Sequence, residues 1–154
     1  MYLAAIRHEK TLCHSKAFAF VLRQFTALVA LGHAEHELPF SNQSQVTYGL
    51  DAAGAVIAAS VHAYDPAKRA MWLQFSAVEA AHRRNGAYRE LFAEVCKSAR
   101  GAGAVNVYAG VATDNHAMLG AAKRLGREPV VVRYKFAVGD AAAPTLKGDN
   151  DDPP

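Results

Sequence analysis

One stretch of the chain concentrates side chains and backbone that could do chemistry. Residues 78–91 read Val-Glu-Ala-Ala-His-Arg-Arg-Asn-Gly-Ala-Tyr-Arg-Glu-Leu. Arg83 and Arg84 precede Gly86, and helical periodicity begins directly after it. The first N–H groups of a helix have no intrahelical partner and carry the positive end of its dipole. A basic turn feeding them is an anion site, and Gly86 lets the backbone approach a phosphate with no Cβ in the way. The competing reading of Arg83 and Arg84 is a solvated helix start. Two groups are candidates for moving a proton, His62 and Glu79. The plainer alternatives are a partly buried strand histidine for His62 and a solvated turn residue for Glu79. His33, Glu35, His36 and Glu37 bring two imidazoles near two carboxylates, but no further ligands are spaced to close a zinc site, so no metal is expected. Cys13 and Cys96 are too few for a disulfide framework, and Cys96 reads as a small buried hydrophobe.

The elements that must hold these groups follow from the apolar periodicity. Residues 2–8 form a short strand-like run. Phe18, Val21, Leu22, Phe25, Leu28 and Val29 make one helical stripe, with Ser15 as N-cap and Gly32 as stop. Residues 33–44 are polar and read as a loop or short helix. Strands at 45–50 and 55–64 flank the hairpin turn Asp51-Ala52-Ala53-Gly54, and Asp65-Pro66 opens a second turn into a strand at 71–78. In that strand, alternation sets Trp72, Gln74, Ser76 and Val78 on one face and Met71, Leu73, Phe75 and Ala77 on the other. A helix follows through Tyr88, Leu91, Phe92, Val95 and Ala99, stopped at Gly101. Then come a strand at 105–111, a helix capped by Asp114 and ended by Gly126, and a strand at 129–137. A strand, helix, strand succession implies a right-handed crossover between parallel neighbours. The expected fold is therefore α/β, a single-domain mixed central sheet with helices on both faces, over residues 1–138. Residues 139–154 hold Ala, Pro, Gly and Asp without aromatics and read as a disordered acidic tail.

Composition narrows the class. The 154 residues, 20% of them charged, suit one globular domain. No apolar run approaches the roughly 18 residues of a membrane span. The N-terminus lacks the order of a signal peptide, so a cytoplasmic protein is expected. Net charge is +3, but without residues 137–154 the balance is 16 basic to 10 acidic side chains. Arg83, Arg84, Arg89, Lys97 and Arg100 suggest a nucleic-acid surface, yet Glu90 and Glu94 interrupt it and no aromatics interleave, so no such contact is expected.

Arg83-x-x-Gly86-x-Tyr88 resembles the Arg/Gln-x-x-Gly-x-Gly/Ala signature of the GNAT family of N-acetyltransferases. Val78 matches the apolar residue ahead of that signature. Asn115 stands at the start of the next helix, as in the family's Asn-x-x-Ala pattern, and Leu125-Gly126 resembles its closing Leu-Gly-Phe, with Arg127 in place of the Phe. The resemblance covers residues 45–137 by motif and residues 1–44 by element order.

The resemblance implies a GNAT-like fold and an acetyl-CoA-dependent N-acetyltransferase. Its acceptor would be a small-molecule or peptide amine, and a homodimer is compatible with it. It also implies that Val78, Arg83, Arg84, Asn85, Gly86, Ala87, Tyr88 and Asn115 bind the cofactor, in a V-shaped gap between the strands at 71–78 and 105–111. For Asn115 a helix-capping role competes equally. Tyr88 departs from the signature's small residue and fits only if its ring points away from the phosphates. The family's base positions on the fourth strand and at Gly110, and its tyrosine position at Ala122, hold no usable group. Tyr108 and Tyr134 are possible substitutes for that tyrosine. His62 and Glu79 are left as stand-ins for the base, with a water relay or a low-pKa acceptor as alternatives. The rival is a catalytically silent GNAT-fold domain that binds coenzyme A or a protein partner. Trp72 would be core or the floor of the acceptor pocket.

Overall fold

The computed structural model describes residues 2–32 and 39–130. Within them the order is β1 (Ala5–Glu9), α1 (Phe18–Ala30), β2 (Gln45–Leu50), β3 (Val56–Asp65), β4 (Ala70–Val78), α2 (Ala87–Gly101), β5 (Asn106–Ala109) and α3 (His116–Arg124). The strands form one sheet in the order β1-β2-β3-β4-β5. The first three pairings are antiparallel and β4–β5 is parallel, as the strand and helix order requires. The expected strand at 129–137 and the tail at 139–154 fall outside the described residues from 131 onward. Residues 129 and 130 have no regular structure.

Strand alternation sorts the sheet into two buried faces, and each receives a helix. Phe20, Val21 and Phe25 of α1 pack on Val46, Tyr48, Ala59, Val61 and Phe75. Ala87 and Leu91 of α2 pack with Leu3, Ile57 and Ala58 on the other face. Phe20 lies outside the stripe expected for α1, and it is buried where Leu22 is only half-buried.

Several local signals are displaced by a residue or two. The N-cap of α1 is Ala17, two residues after the expected Ser15, whose Oγ accepts from the Ala17 N–H at 3.0 Å. The left-handed stop after α2 is Gly103, not Gly101, because the Ala104 N–H returns to the Ala99 carbonyl at 2.9 Å. The hairpin turn forms as read. Gly54 has φ +80°, and the Asp51 carboxylate accepts from the Ala55 N–H at 2.8 Å.

The alternation expected for β4 fails at one residue. Val61 pairs with Phe75 and His62 with Leu73, so Gln74 is an extra residue on β4. Such a bulge bends its strand and sharpens the local twist. Trp72 therefore lies opposite Ala63, on the face shared with Phe75, and Met71 and Leu73 turn to the α2 face. The parallel pairing with β5 runs from Ala70–Asn106 to Leu73–Ala109 and ends where the bulge begins.

Beneath α2 lies a small polar layer. Thr47, Ser60 and His62 are buried there, His62 completely. The Thr47 hydroxyl lies 3.0 Å from His62 Nε2 and 3.1 Å from Nδ1 of His8, whose ring stacks on that of His62 at 5.5 Å. His62 Nδ1 has no hydrogen-bond partner among the described residues. Burial, with the neighbouring His8 second, lowers the His62 pKa to about 4. In the unfolded chain an imidazole titrates near 6.5, so acid protonates the unfolded state first. His62 therefore contributes stability that is complete above about pH 6.5 and is lost as pH falls toward 4. The urea midpoint of the wild-type chain should drop between pH 7.5 and pH 5, and His62→Leu should flatten that drop. An unchanged slope in the variant would place the acid sensitivity elsewhere.

Candidate active site

The basic turn joins the end of β4 to α2 through a short 3-10 segment at Ala80–His82. Backbone geometry there is unusual. Arg84 and Gly86 are left-handed, with φ +67° and +89°, and Asn85 between them is not. This alternation gathers successive N–H groups into a concavity suited to an anion. The N–H groups of Arg84, Asn85, Gly86, Ala87, Tyr88 and Arg89 meet no acceptor among the described residues, and no side chain caps the helix. A Cβ at Gly86 would find only the Arg89 guanidinium, at 3.7 Å. The concavity is therefore open on its ligand side, and Arg83, Arg84, Asn85 and Arg89 are exposed around it.

The turn is braced from several directions. Arg83 Nε donates to the Val78 carbonyl at 2.9 Å. Ala87 packs into the core against the sheet. Glu79 accepts from Arg23 Nη2 at 2.8 Å and from Gln24 Nε2 at 3.1 Å, both on α1. The Glu90 carboxylate accepts from the N–H groups of Tyr2 and Leu3, which pins the N-terminal residues to the first turn of α2.

Beside the turn, β4 and the chain after β5 diverge. A cleft of about 350 Å³ opens between Leu73, Gln74, Phe75 and Ser76 on one side and Ala109, Gly110, Val111 and Ala112 on the other. Phe25, Leu28 and Pro39 close one end, and Tyr88, Asn115, Met118 and Arg127 line the other. The Glu79 N–H donates to the Ile57 carbonyl at 2.8 Å, toward β3. By alternation the main-chain groups of Ser76 and Val78 point the opposite way, toward the cleft. Gln74 is held by both ends of its amide: Oε1 accepts from the Ser44 hydroxyl at 2.8 Å, and Nε2 donates to the Pro39 carbonyl at 2.9 Å.

The expected site residues are brought together unevenly. Tyr88 and Asn115 line the cleft, whereas Val78 and the turn from Arg83 to Ala87 do not and lie where β4 connects to α2. Asn115, not Asp114, caps α3, its Oδ1 accepting from the Met118 N–H at 3.1 Å. Tyr88 is half-buried with its ring stacked on Phe92. His62 and Glu79 do not line the cleft. The first is sealed under α2, and the second is tied to α1. Trp72 is neither core nor cleft floor. It is 40% exposed and stacks on Tyr108 at 5.0 Å. Cys96 is half-buried, and burial raises its thiol pKa. Tyr134 and the 33–37 cluster lie outside the described residues, among which no three His, Cys, Asp or Glu converge as metal ligands. No described helix is long and apolar enough to cross a membrane. Gln74 and Arg127 contribute to the cleft without having been legible as site residues, since the bulge and the α2–α3 contact are both tertiary.

A family model described as the acetyltransferase (GNAT) family matches residues 14–126. No curated protein matches the chain. Among solved structures, an aminoglycoside acetyltransferase from an uncultured soil metagenomic sample, in complex with trehalose, is 14% identical, with a TM-score of 0.68 over 90% of this chain and 97% of that one. An aminoglycoside N-acetyltransferase, AAC(6')-Iy, in complex with CoA, is 17% identical, with a TM-score of 0.59 over 87% and 100%. A ribosomal-protein-alanine N-acetyltransferase from Brucella melitensis biovar Abortus is 12% identical, with a TM-score of 0.66 over 88% and 100%. At these identities the likeness is one of fold. The family match itself runs through the basic turn, the splayed strands and α3, and by it the chain belongs to the acetyltransferase (GNAT) family, N-acetyltransferases whose co-substrate is acetyl-CoA.

Proposed function

We propose that the cleft takes acetyl-CoA and that the chain transfers the acetyl group to a primary amine of a small molecule or peptide. The observation that carries this is the row of N–H groups from Arg84 to Arg89 that meet no acceptor among the described residues, on the segment that delivers Tyr88 to the cleft. A diphosphate fits that concavity, with Arg83 and Arg84 adding full charges. The pantetheine arm would run along β4 and pair with the main-chain groups of Ser76 and Val78, as an added strand does. Asn115 commits its Oδ1 to α3 and offers its amide nitrogen to the same cleft.

The donor supplies a thioester carbonyl. The amine nitrogen forms the new C–N bond, the C–S bond breaks, and the sulfur leaves as thiolate. The chain's part is chiefly to hold the two reactants together, with main-chain donors polarising the carbonyl. Phe25, Leu28, Phe75 and Met118 make the described walls largely apolar. Removal from water penalises an ammonium more than a neutral amine, so this lining selects the free base. None of the described lining side chains is a carboxylate or an imidazole. The amine therefore enters as the neutral base, one of its two N–H protons passes to water as the C–N bond forms, and the other stays on the amide nitrogen.

Acetyl-CoA should raise the melting temperature by an amount that grows with its concentration. Gly86→Asp adds a side chain at φ +89° and a negative charge to the concavity. It should weaken acetyl-CoA at least about tenfold in Kd while leaving the ligand-free far-UV spectrum intact. Unchanged affinity would remove the turn from the binding site. With an acetylated amine in hand, kcat/KM should rise with pH through the acceptor's own amine pKa, and His62→Leu should keep that limb. A limb near pH 4 that disappears in His62→Leu would instead make the histidine the base. A protein that binds acetyl-CoA but releases no thiol across a broad panel of amines would be a silent domain.

A further inference from the structure

Two departures from the signature pattern lie far apart in sequence and touch each other in the fold. Arg127 Nη2 donates to the Tyr88 hydroxyl at 3.0 Å. The same guanidinium lies 4.0 Å from the centre of the Phe92 ring and 5.8 Å from that of Tyr88. Tyr88 and Phe92 are one helical turn apart on α2 and stack at 6.3 Å, so the two rings form one surface. Arg127 is brought to it by the end of α3. Gly126 is left-handed at φ +71°, its N–H returns to the Lys123 carbonyl at 3.0 Å, and the Arg127 N–H returns to the Ala122 carbonyl at 3.1 Å. This paired closure fixes the direction in which the chain leaves the helix.

The contact has an electrical consequence. Arg127 has no carboxylate partner among the described residues, and one nitrogen donates to a neutral phenol. An aromatic face stabilises the cation without neutralising it. Both Tyr88 and Arg127 line the cleft. The result is a positive charge held on the wall formed by α2 and α3, near the concavity but on a different segment from Arg83 and Arg84.

We infer that Arg127 is a binding residue for the phosphate-bearing part of acetyl-CoA and that Tyr88 is its positioning residue. The inference rests on the proposed reading of the cleft as the acetyl-CoA site. It gives the bulky Tyr88 a function at a position where a small residue would leave Arg127 with no hydroxyl to hold it.

The test compares two donors, acetyl-CoA and S-acetylpantetheine, which carries the same thioester but no phosphate. Arg127→Gln should raise KM for acetyl-CoA about tenfold, the size of one lost charged contact. Its kcat should stay within about twofold, and KM for S-acetylpantetheine should not move. Arg127→Lys should recover part of the loss, and Tyr88→Phe should shift KM in the same direction by less. The gap between wild type and Arg127→Gln should narrow with added salt. An equal rise for both donors, or a fall in kcat with KM unchanged, would make the pair purely structural and overturn the inference, as would an Arg127→Gln variant indistinguishable from wild type. Ligand-free melting temperatures, measured for every variant, separate a folding defect from a binding one. A wild-type chain that binds no acetyl-CoA overturns the reading of the cleft and this role with it. Intact binding that is indifferent to Arg127 overturns this role alone.

Discussion

The sheet loses its partner at Gln74, and most of the site follows from that. Parallel pairing between β4 and β5 stops at Leu73–Ala109, while β4 continues to Val78. Backbone amides and carbonyls that lose a ladder must find water, a side chain or a ligand. Here the break lies between β4 and β5, an outermost pair of the described sheet, with α1 on one face and α2 on the other. The freed groups line a crevice between packed elements, where an extended chain of the right polarity can replace the missing strand. Gln74 fixes the break in place, because its amide is tied to Ser44 and Pro39 rather than left to drift.

The basic turn is organised around the same break. β4 ends beside the crevice and the next residues climb directly into α2, so the positive end of that helix faces the opening. Glu79 has the chemistry of a base and the connections of a brace. Its carboxylate holds the exit of β4 against Arg23 and Gln24 of α1. The acidic side chains nearest the turn are thus occupied in holding it still, and Arg83 and Arg84 remain exposed. This division of labour suits a chain whose membership of the GNAT family rests on a match through the same segment.

How far the sequence announces this differs by element. The stripes of α1 and α2, the meander and the crossover are legible because apolar period and turn residues agree at each. The turn at 78–88 is legible as a basic, glycine-containing helix start because the physics there is local: a glycine, two arginines and the first residues of α2. The bulge is not. Met-Trp-Leu-Gln-Phe-Ser-Ala-Val fits unbroken alternation, and only pairing with β3 reveals the extra residue. That single slip moved Trp72 off its expected face. The cap of α3 is Asn115, one position after the expected Asp114, a shift of the size common at helix ends. The contact of Tyr88 with Arg127 joins residues 39 apart and has no local signature.

The polar layer under α2 obeys a rule of proton counting. Thr47 has one hydroxyl hydrogen and stands between two imidazoles, His62 Nε2 and His8 Nδ1. A buried lone pair is easier to leave unmatched than a buried N–H, so His62 keeps its proton on Nε2 and leaves Nδ1 bare. Thr47 accepts that proton's bond and turns its own hydrogen toward His8. The direction of these hydrogen bonds is thereby set by one nitrogen that lacks a hydrogen-bond partner among the described residues. A further proton on His8, the exposed end, forces Thr47 to accept twice, and its own hydrogen then points at nothing. Adding charge at the surface thus strands a hydrogen in the interior, and an event at the edge of β1 is registered as a rotation beneath α2.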